Sequence, residues 1–246
     1  MAVPLERVQV VGDRPLRAGA THVLYWMIAA RRPRHSFALD HALDHARALG
    51  LPLIVLEPLR VGYGWASDRL HRFVLDGMAA NAAAFAAAGV TYYPYVEPAP
   101  GAGRGLLAEL AKRAALVVTD RFPTCGIAER TQRFGERANC RVVAIESHAV
   151  VPSGAIEKEE YAARTIRPKL AKLMALALEP VEDRGARVAV TPSLAASLRD
   201  ALATATLNLA TVDLGSAIAA CEIDHSVPAV AMRSGLTAAR ARLHAF

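Results

Sequence analysis

No apolar run in the 246-residue sequence approaches the ~20 consecutive residues that a membrane-spanning helix needs, so no membrane role is expected. The first twenty residues carry Glu6, Arg7, Asp13, Arg14 and Arg17 where a secretory leader would place an apolar stretch, which predicts a chain without one. Cysteine is scarce: Cys125, Cys140 and Cys221 are three, odd in number and far apart, with no CxxC pair. That excludes a disulfide framework and a structural zinc site and points to the cytoplasm. The GxGxxG, Walker A and GxSxG patterns are also missing, so neither the dinucleotide fingerprint, the P-loop nor triad hydrolysis has support. The scattered histidines show no nucleophile–base arrangement, and no catalytic or metal-ligating set is assigned.

What is present is apolar and alanine-rich. Hydrophobic residues make up 53% and charged residues 21%, enough to bury a core, and alanine favours helices that pack closely on a sheet. The formal charge of +6 permits contact with a polyanion but equally suits a merely arginine-rich background. Five short apolar runs alternate with helical spacing. Thr21–Met27 reads as a strand, Ser36–Leu49 as a helix stopped by Gly50, and Leu51–Leu59 as a strand buried on both faces. A helix from Ser67, its N-cap, to Ala88 follows, then a strand Thr91–Val96 whose Pro94 demands a sheet edge. A helix at Leu106–Ala114, a strand Leu116–Asp120, a helix Gly126–Ala138 and a strand Arg141–Glu146 complete the pattern.

Such alternation forces parallel strands joined by right-handed crossovers. The expected fold is α/β: a five-stranded parallel Rossmann-like sheet of the HUP type, order 3-2-1-4-5, flanked by helices, with a C-terminal helical extension. The expected division is an N-terminal segment 1–19, an α/β domain 20–153 and a helical extension or linker 154–246. In the last part Glu157–Glu179 reads as one helix kinked or split by Pro168. Further helices are expected at Ser193–Ala205, Leu214–Cys221 and from Thr237 onward.

Ligands of such sheets bind at the carboxyl ends of the strands, where the strand order reverses. That rim carries Tyr25, Trp26, Met27, Arg31 and Arg32 after the first strand and Glu57 after the second. It continues with Asp120, Arg121 and Phe122 after the fourth and Glu146 and Ser147 after the fifth. Aromatic rings beside arginine and carboxylate suit a flat heteroaromatic ligand, although the same residue types also serve as ordinary rim and cap groups. Gly101–Gly105 reads as a flexible connector rather than a phosphate cradle. Asp40, His41, Asp44 and His45 read as a solvated helix face rather than a metal site.

Several strings resemble class II DNA photolyases: Val23–Met27 (VLYWM) followed by an arginine loop, Arg72-Phe73-Val-Leu-Asp-Gly77, and Ala149-Val-Val-Pro152. Tyr161-Ala-Ala-Arg164-Thr-Ile-Arg167-Pro168-Lys169 and Asp224-His-Ser-Val227-Pro228 extend the likeness. Ser36-Phe37 departs from the family's Asn-Trp, and His71 is shifted from its histidine. The resemblance implies the N-terminal half of such an enzyme, without the helical domain that binds FAD, splits pyrimidine dimers and makes most DNA contacts. It implies no catalytic residue here, and an antenna chromophore such as a deazaflavin at the rim. Arg164, Arg167 and Lys169 would face DNA or a partner domain, or would link their helix to the core. The expected role is work with a separate FAD-binding chain, as a dimer or heteromer, in light-dependent repair, the chain alone being inactive. The alternatives are a stand-alone nucleotide-, flavin- or deazaflavin-binding module and a structural remnant.

Overall fold

The computed structural model describes residues 3–156, 158–178, 209 and 211–246. Its sheet has six strands in the order β1-β6-β5-β2-β3-β4. They are β1 (Val8–Gly12), β2 (His22–Trp26), β3 (Leu53–Leu59), β4 (Thr91–Val96), β5 (Ala114–Asp120) and β6 (Arg141–Ile145). From β2 to β6 all neighbours are parallel, in the order expected from the alternation. Pro94, which has no N–H for a ladder, lies in β4 at one edge.

The expectation of five parallel strands is corrected at the other edge. β1 pairs antiparallel with β6, so residues 8–12 are part of the sheet rather than of a detached N-terminal segment. The strand is seated by two glycines. A Cβ on Gly12 would stand 2.7 Å from the Gly135 carbonyl oxygen, and one on Gly135 would stand 2.8 Å from the Val11 carbonyl. Helix and strand backbones therefore meet directly, which only a residue without a Cβ permits.

Alternation along β2 distributes side chains between two layers. Val23 and Tyr25 face a core built with α1 (Phe37–Leu49) and α2 (Asp68–Ala87). Leu24 and Trp26 face a core built with α3 (Leu106–Ala111) and α4 (Ile127–Arg137). α1 begins where the Ser36 hydroxyl accepts the Leu39 N–H at 3.2 Å and ends at Gly50 with φ 62°. Its polar face is not solvated as expected, since Asp40 is buried and His41 and His45 are half-buried with rings 4.7 Å apart. Burial lowers the His41 pKa to about 4, with the charge of His45 second.

The expected helix from Glu157 starts only at Ala163: α5 spans Ala163–Ala177 and runs through Pro168 without ending. Pro168 falls in its second turn, so the one backbone bond it removes is to a carbonyl at the helix start. Beyond it, α6 (Leu214–Ala219) and α7 (Leu236–His244) are described. The helix expected at Ser193–Ala205 lies outside the described residues. A third apolar cluster joins Ile218 of α6 to Leu59, Leu75 and Met78. Ser67 precedes α2, but its hydroxyl caps nothing. Instead the carbonyls of Asp224 and Val227 accept the N–H groups of Asp68 (3.3 Å) and Arg69 (3.2 Å), so a distant segment caps this helix. Among the described residues no helix is long and apolar enough to cross a membrane.

Candidate functional site

The strand order reverses between β2 and β5, and Asp120 ends β5 at that point. Its buried carboxylate is fully engaged by the loop after β2. Oδ2 accepts the backbone N–H groups of Ile28 (2.8 Å), Ala29 (2.7 Å) and Ala30 (3.0 Å), and Oδ1 accepts the Tyr25 hydroxyl (2.8 Å). Three successive amides converging on one oxygen form the kind of concavity that holds phosphate in nucleotide-binding proteins. Here the chain's own carboxylate occupies it. Burial raises the Tyr25 pKa well above its ordinary value, and the Asp120 charge adds to this, so Tyr25 stays a neutral donor.

The neighbouring rim carboxylates are engaged as well. Glu57, fully buried, pairs with Arg31 at 3.0 Å and accepts hydrogen bonds from Asn81 (3.0 Å) and Tyr92 (2.7 Å). Burial, then the Glu57 charge, raises the Tyr92 pKa. Arg32 donates to the carbonyls of His35 and Ser147, and the Ser147 hydroxyl accepts the Ala38 N–H at 3.1 Å, tying the end of β6 to the start of α1. Glu146 accepts the amide (2.9 Å) and hydroxyl (2.7 Å) of Ser153 on one oxygen. Its other oxygen is buried without a hydrogen-bond partner, 3.6 Å from His148 Nε2.

Two clefts open beside this framework on the α3/α4 side. The larger, about 510 Å³, lies between α4 and the ends of β5, β6 and β1. Asp120, Arg121, Phe122, His148, Thr131 and Gln9 are among its walls. The Phe122 and His148 rings meet at 4.7 Å and 59°. Thr131 is 3% exposed and its hydroxyl has no partner. The first turn of α4, uncapped by any side chain, supplies Ala128 and Glu129 to the wall. The second cleft, about 450 Å³, brings Trp26, Tyr95, Arg60 and Arg104 together around the glycine loop. That loop folds over buried Glu97, whose carboxylate accepts the N–H groups of Val61 (3.1 Å), Gly101 (3.0 Å) and Gly103 (3.3 Å).

The rim residues expected from sequence thus divide. Asp120 and Arg121 line the larger cleft and Trp26 the smaller. Tyr25, Met27, Glu57 and Glu146 are fully buried and line neither, while Arg31 and Arg32 brace loops. Arg164 and Arg167 lie exposed on α5, away from both clefts' linings, and Lys169 there pairs with Glu160. Gln9, Thr131 and His148 are cleft residues that sequence reasoning missed. The alternation Val8-Gln9-Val10-Val11 was the available signal for the first; nothing in the local pattern marked the others. Among the described residues no group of three His, Cys, Asp or Glu side chains could hold a metal ion.

Together these features define an α/β domain that presents a ligand-sized cleft of aromatic, cationic and amide groups at the strand ends of a mostly parallel sheet. A family profile described as DNA photolyase matches residues 23–186, and the chain belongs to that family, as its N-terminal domain. It is 29% identical over 174 residues to a deoxyribodipyrimidine photo-lyase of Methanothermobacter thermautotrophicus, covering 70% of this chain and 38% of that one. It is also 29% identical over 164 residues to the deoxyribodipyrimidine photo-lyase of Arabidopsis thaliana, covering 65% and 33%. The chain therefore spans only about a third to two fifths of the curated relatives it matches. A class III photolyase from Agrobacterium tumefaciens shares the fold, with TM-score 0.50 and 14% identity over 76% of this chain and 39% of that one.

Proposed function

We propose that this chain is the antenna-bearing α/β part of a class II photolyase. It works with a FAD-binding helical domain in light-dependent repair of pyrimidine dimers. The class assignment rests on the Tyr161–Lys169 string, and the observation that carries the antenna role is the 510 Å³ cleft at the ends of β5 and β6. Its volume falls in the range of about 300–1,000 Å³ that small ligands occupy. Its contents fit a flat, anionic heteroaromatic such as a deazaflavin. Phe122 and His148 offer ring faces, Arg121 offers a cation, and Gln9 and the unpartnered Thr131 hydroxyl offer polar groups for ring substituents. When bound, such a group supplies light absorption. The residues' own part is to hold it flat, and the filled Asp120 amide cradle disfavours the alternative of a nucleotide phosphate seated after β2.

The chain is purified from its source cells, its visible spectrum recorded, and any released compound identified by mass spectrometry. The reading expects a flavin-like or deazaflavin chromophore, lost or weakened at least tenfold in Phe122→Ala and Arg121→Gln. A colourless protein that also takes up no added deazaflavin refutes the antenna role. For the enzyme role, light-dependent dimer splitting is measured with a FAD-loaded helical photolyase domain added in trans. No binding and no repair with any such domain refutes that part.

A further inference from the structure

On the α3/α4 layer, opposite the layer of α2 onto which the C-terminal segment folds, a groove of about 470 Å³ runs between α3 and α4. Its floor is apolar, with Ala111, Ala138 and Phe134, and its walls are cationic, with Lys112, Arg130, Arg133 and Arg137. Arg130, Arg133 and Arg137 recur at i, i+3 and i+7, one face of α4, over ~10 Å at 1.5 Å per residue. Lys112 is neutralised by Glu109 at 2.5 Å, but the three arginines form no ion pair among the described residues. Arg130 and Arg133 instead donate to the carbonyls of Cys125 and Glu129, and neither is paired with a carboxylate, although the Glu129 charge partly offsets that of Arg130. Burial lowers the Arg130 pKa, with the nearby cation Arg60 the next cause. Like charges crowded on an apolar floor, with no carboxylate in the groove's lining, are a standing cost that a polyanion relieves.

We propose that this groove binds the phosphate backbone of a nucleic-acid strand without regard to sequence, dimers or light. Arginine forks match phosphate oxygens, their repeat along α4 follows successive phosphates, and the Phe134 floor offers an apolar surface to an unstacked base. An acidic protein segment would satisfy the charge but would gain nothing from an aromatic floor. The inference stands apart from the antenna reading, because it needs neither chromophore nor FAD domain.

Fluorescence anisotropy with a labelled, undamaged oligonucleotide in the dark tests it, one arm single-stranded and one duplex. Binding is expected to weaken linearly in log salt. The double variant Arg133→Gln/Arg137→Gln loses on the order of 25-fold at 0.1 M salt against single strands, from a slope of about 0.7 per phosphate contact. Arg133→Lys/Arg137→Lys retains most of the affinity, and Arg69→Gln/Arg242→Gln, at exposed positions on α2 and α7, leaves it unchanged. Both glutamine sites are exposed, and an unchanged circular dichroism spectrum and melting temperature establish folding. Three results overturn the proposal: no binding of either strand form at 0.05 M salt, loss in the Arg69→Gln/Arg242→Gln variant but not in the α4 variant, or polyglutamate competing equally at equal charge.

Discussion

The most exacting test of the framework is removal of the Asp120 carboxylate. In Asp120→Ala, three backbone amides and the Tyr25 hydroxyl lose their acceptor at once. Hydrogen bonds to a charged group are worth about 1.5–3 kcal/mol each, so four make an upper figure of ~6–12 kcal/mol. The loop 28–30 is only partly buried at Ile28 and Ala29, so water replaces some of them. Breaking a buried charged network on one side costs about 3–5 kcal/mol, and that is the expected loss, a large share of the ~5–15 kcal/mol available to a domain. Tyr25→Phe removes only one of the four donors and should cost about 1–2 kcal/mol. Because the two groups touch, the double variant should lose less than the sum, by about 0.5–3 kcal/mol in a double-mutant cycle from urea unfolding. The emptied amide cradle should also gain an anion site. Inorganic phosphate at 100 times its dissociation constant would then stabilise Asp120→Ala by about 2.7 kcal/mol and leave the unmodified protein unchanged. If Asp120→Ala unfolds within ~0.5 kcal/mol of the unmodified protein, the carboxylate is not what holds the loop, and the reasoning about the filled cradle falls with it.

Three further outcomes are expected. Glu57→Gln keeps the shape of its network but strands the Arg31 guanidinium, and should lower stability by about 2–3 kcal/mol in thermal unfolding; Arg31→Met should recover part of that loss in the double variant. Gly135→Ala places a methyl 2.8 Å from the Val11 carbonyl, so it should cost about 1–3 kcal/mol and raise exchange of the β1 amides while leaving those of β2 and β3 protected. His22 is buried, with its ring nitrogens against the Thr21 hydroxyl (2.9 Å) and the Leu110 carbonyl (3.0 Å), and burial lowers its pKa from 6.5 to about 4. A base with a depressed folded pKa takes up its proton on unfolding. Stability is therefore kept above about 6.5 and lost as pH falls toward about 4, by about 2 kcal/mol at pH 5. Chemical denaturation at pH 7 and 5 should show that loss reduced in His22→Gln, and an equal loss in both proteins would refute the assignment.

The parts of this fold that sequence made legible are those in which one periodicity decides burial. In β3 and β5 the apolar runs are continuous because both faces are covered, and in α1 the spacing of Leu39, Ala42, Leu43 and Ala46 matches the face they bury. β1 was missed because it is an edge strand with exposed Gln9 and Val10, so only its pairing with β6 and its contact with α4 define it. Gly135, isolated in a helical pattern, was a local sign of that contact, since glycine in a helix costs about 1 kcal/mol against alanine and a close backbone approach is one reason to bear it. The solvated reading of Asp40 failed because a residue's type and its place on the helix do not by themselves decide its burial. The site was legible as a place but not as a set of roles. Strand order located the rim, yet residue type could not separate a carboxylate offered to a ligand from one consumed by backbone amides. Asp120, Glu57, Glu97 and Glu146 all turn inward, and each anchors a loop through donors remote or invisible in sequence. What remains at the surface of the rim is mainly cationic and aromatic, with Glu129 the exposed carboxylate of the larger cleft: Arg121, Phe122 and His148 in one cleft, Arg60, Arg104, Trp26 and Tyr95 in the other. The inward carboxylates hold the loops rigid, and so the groups left to meet a ligand are those that favour a flat anion.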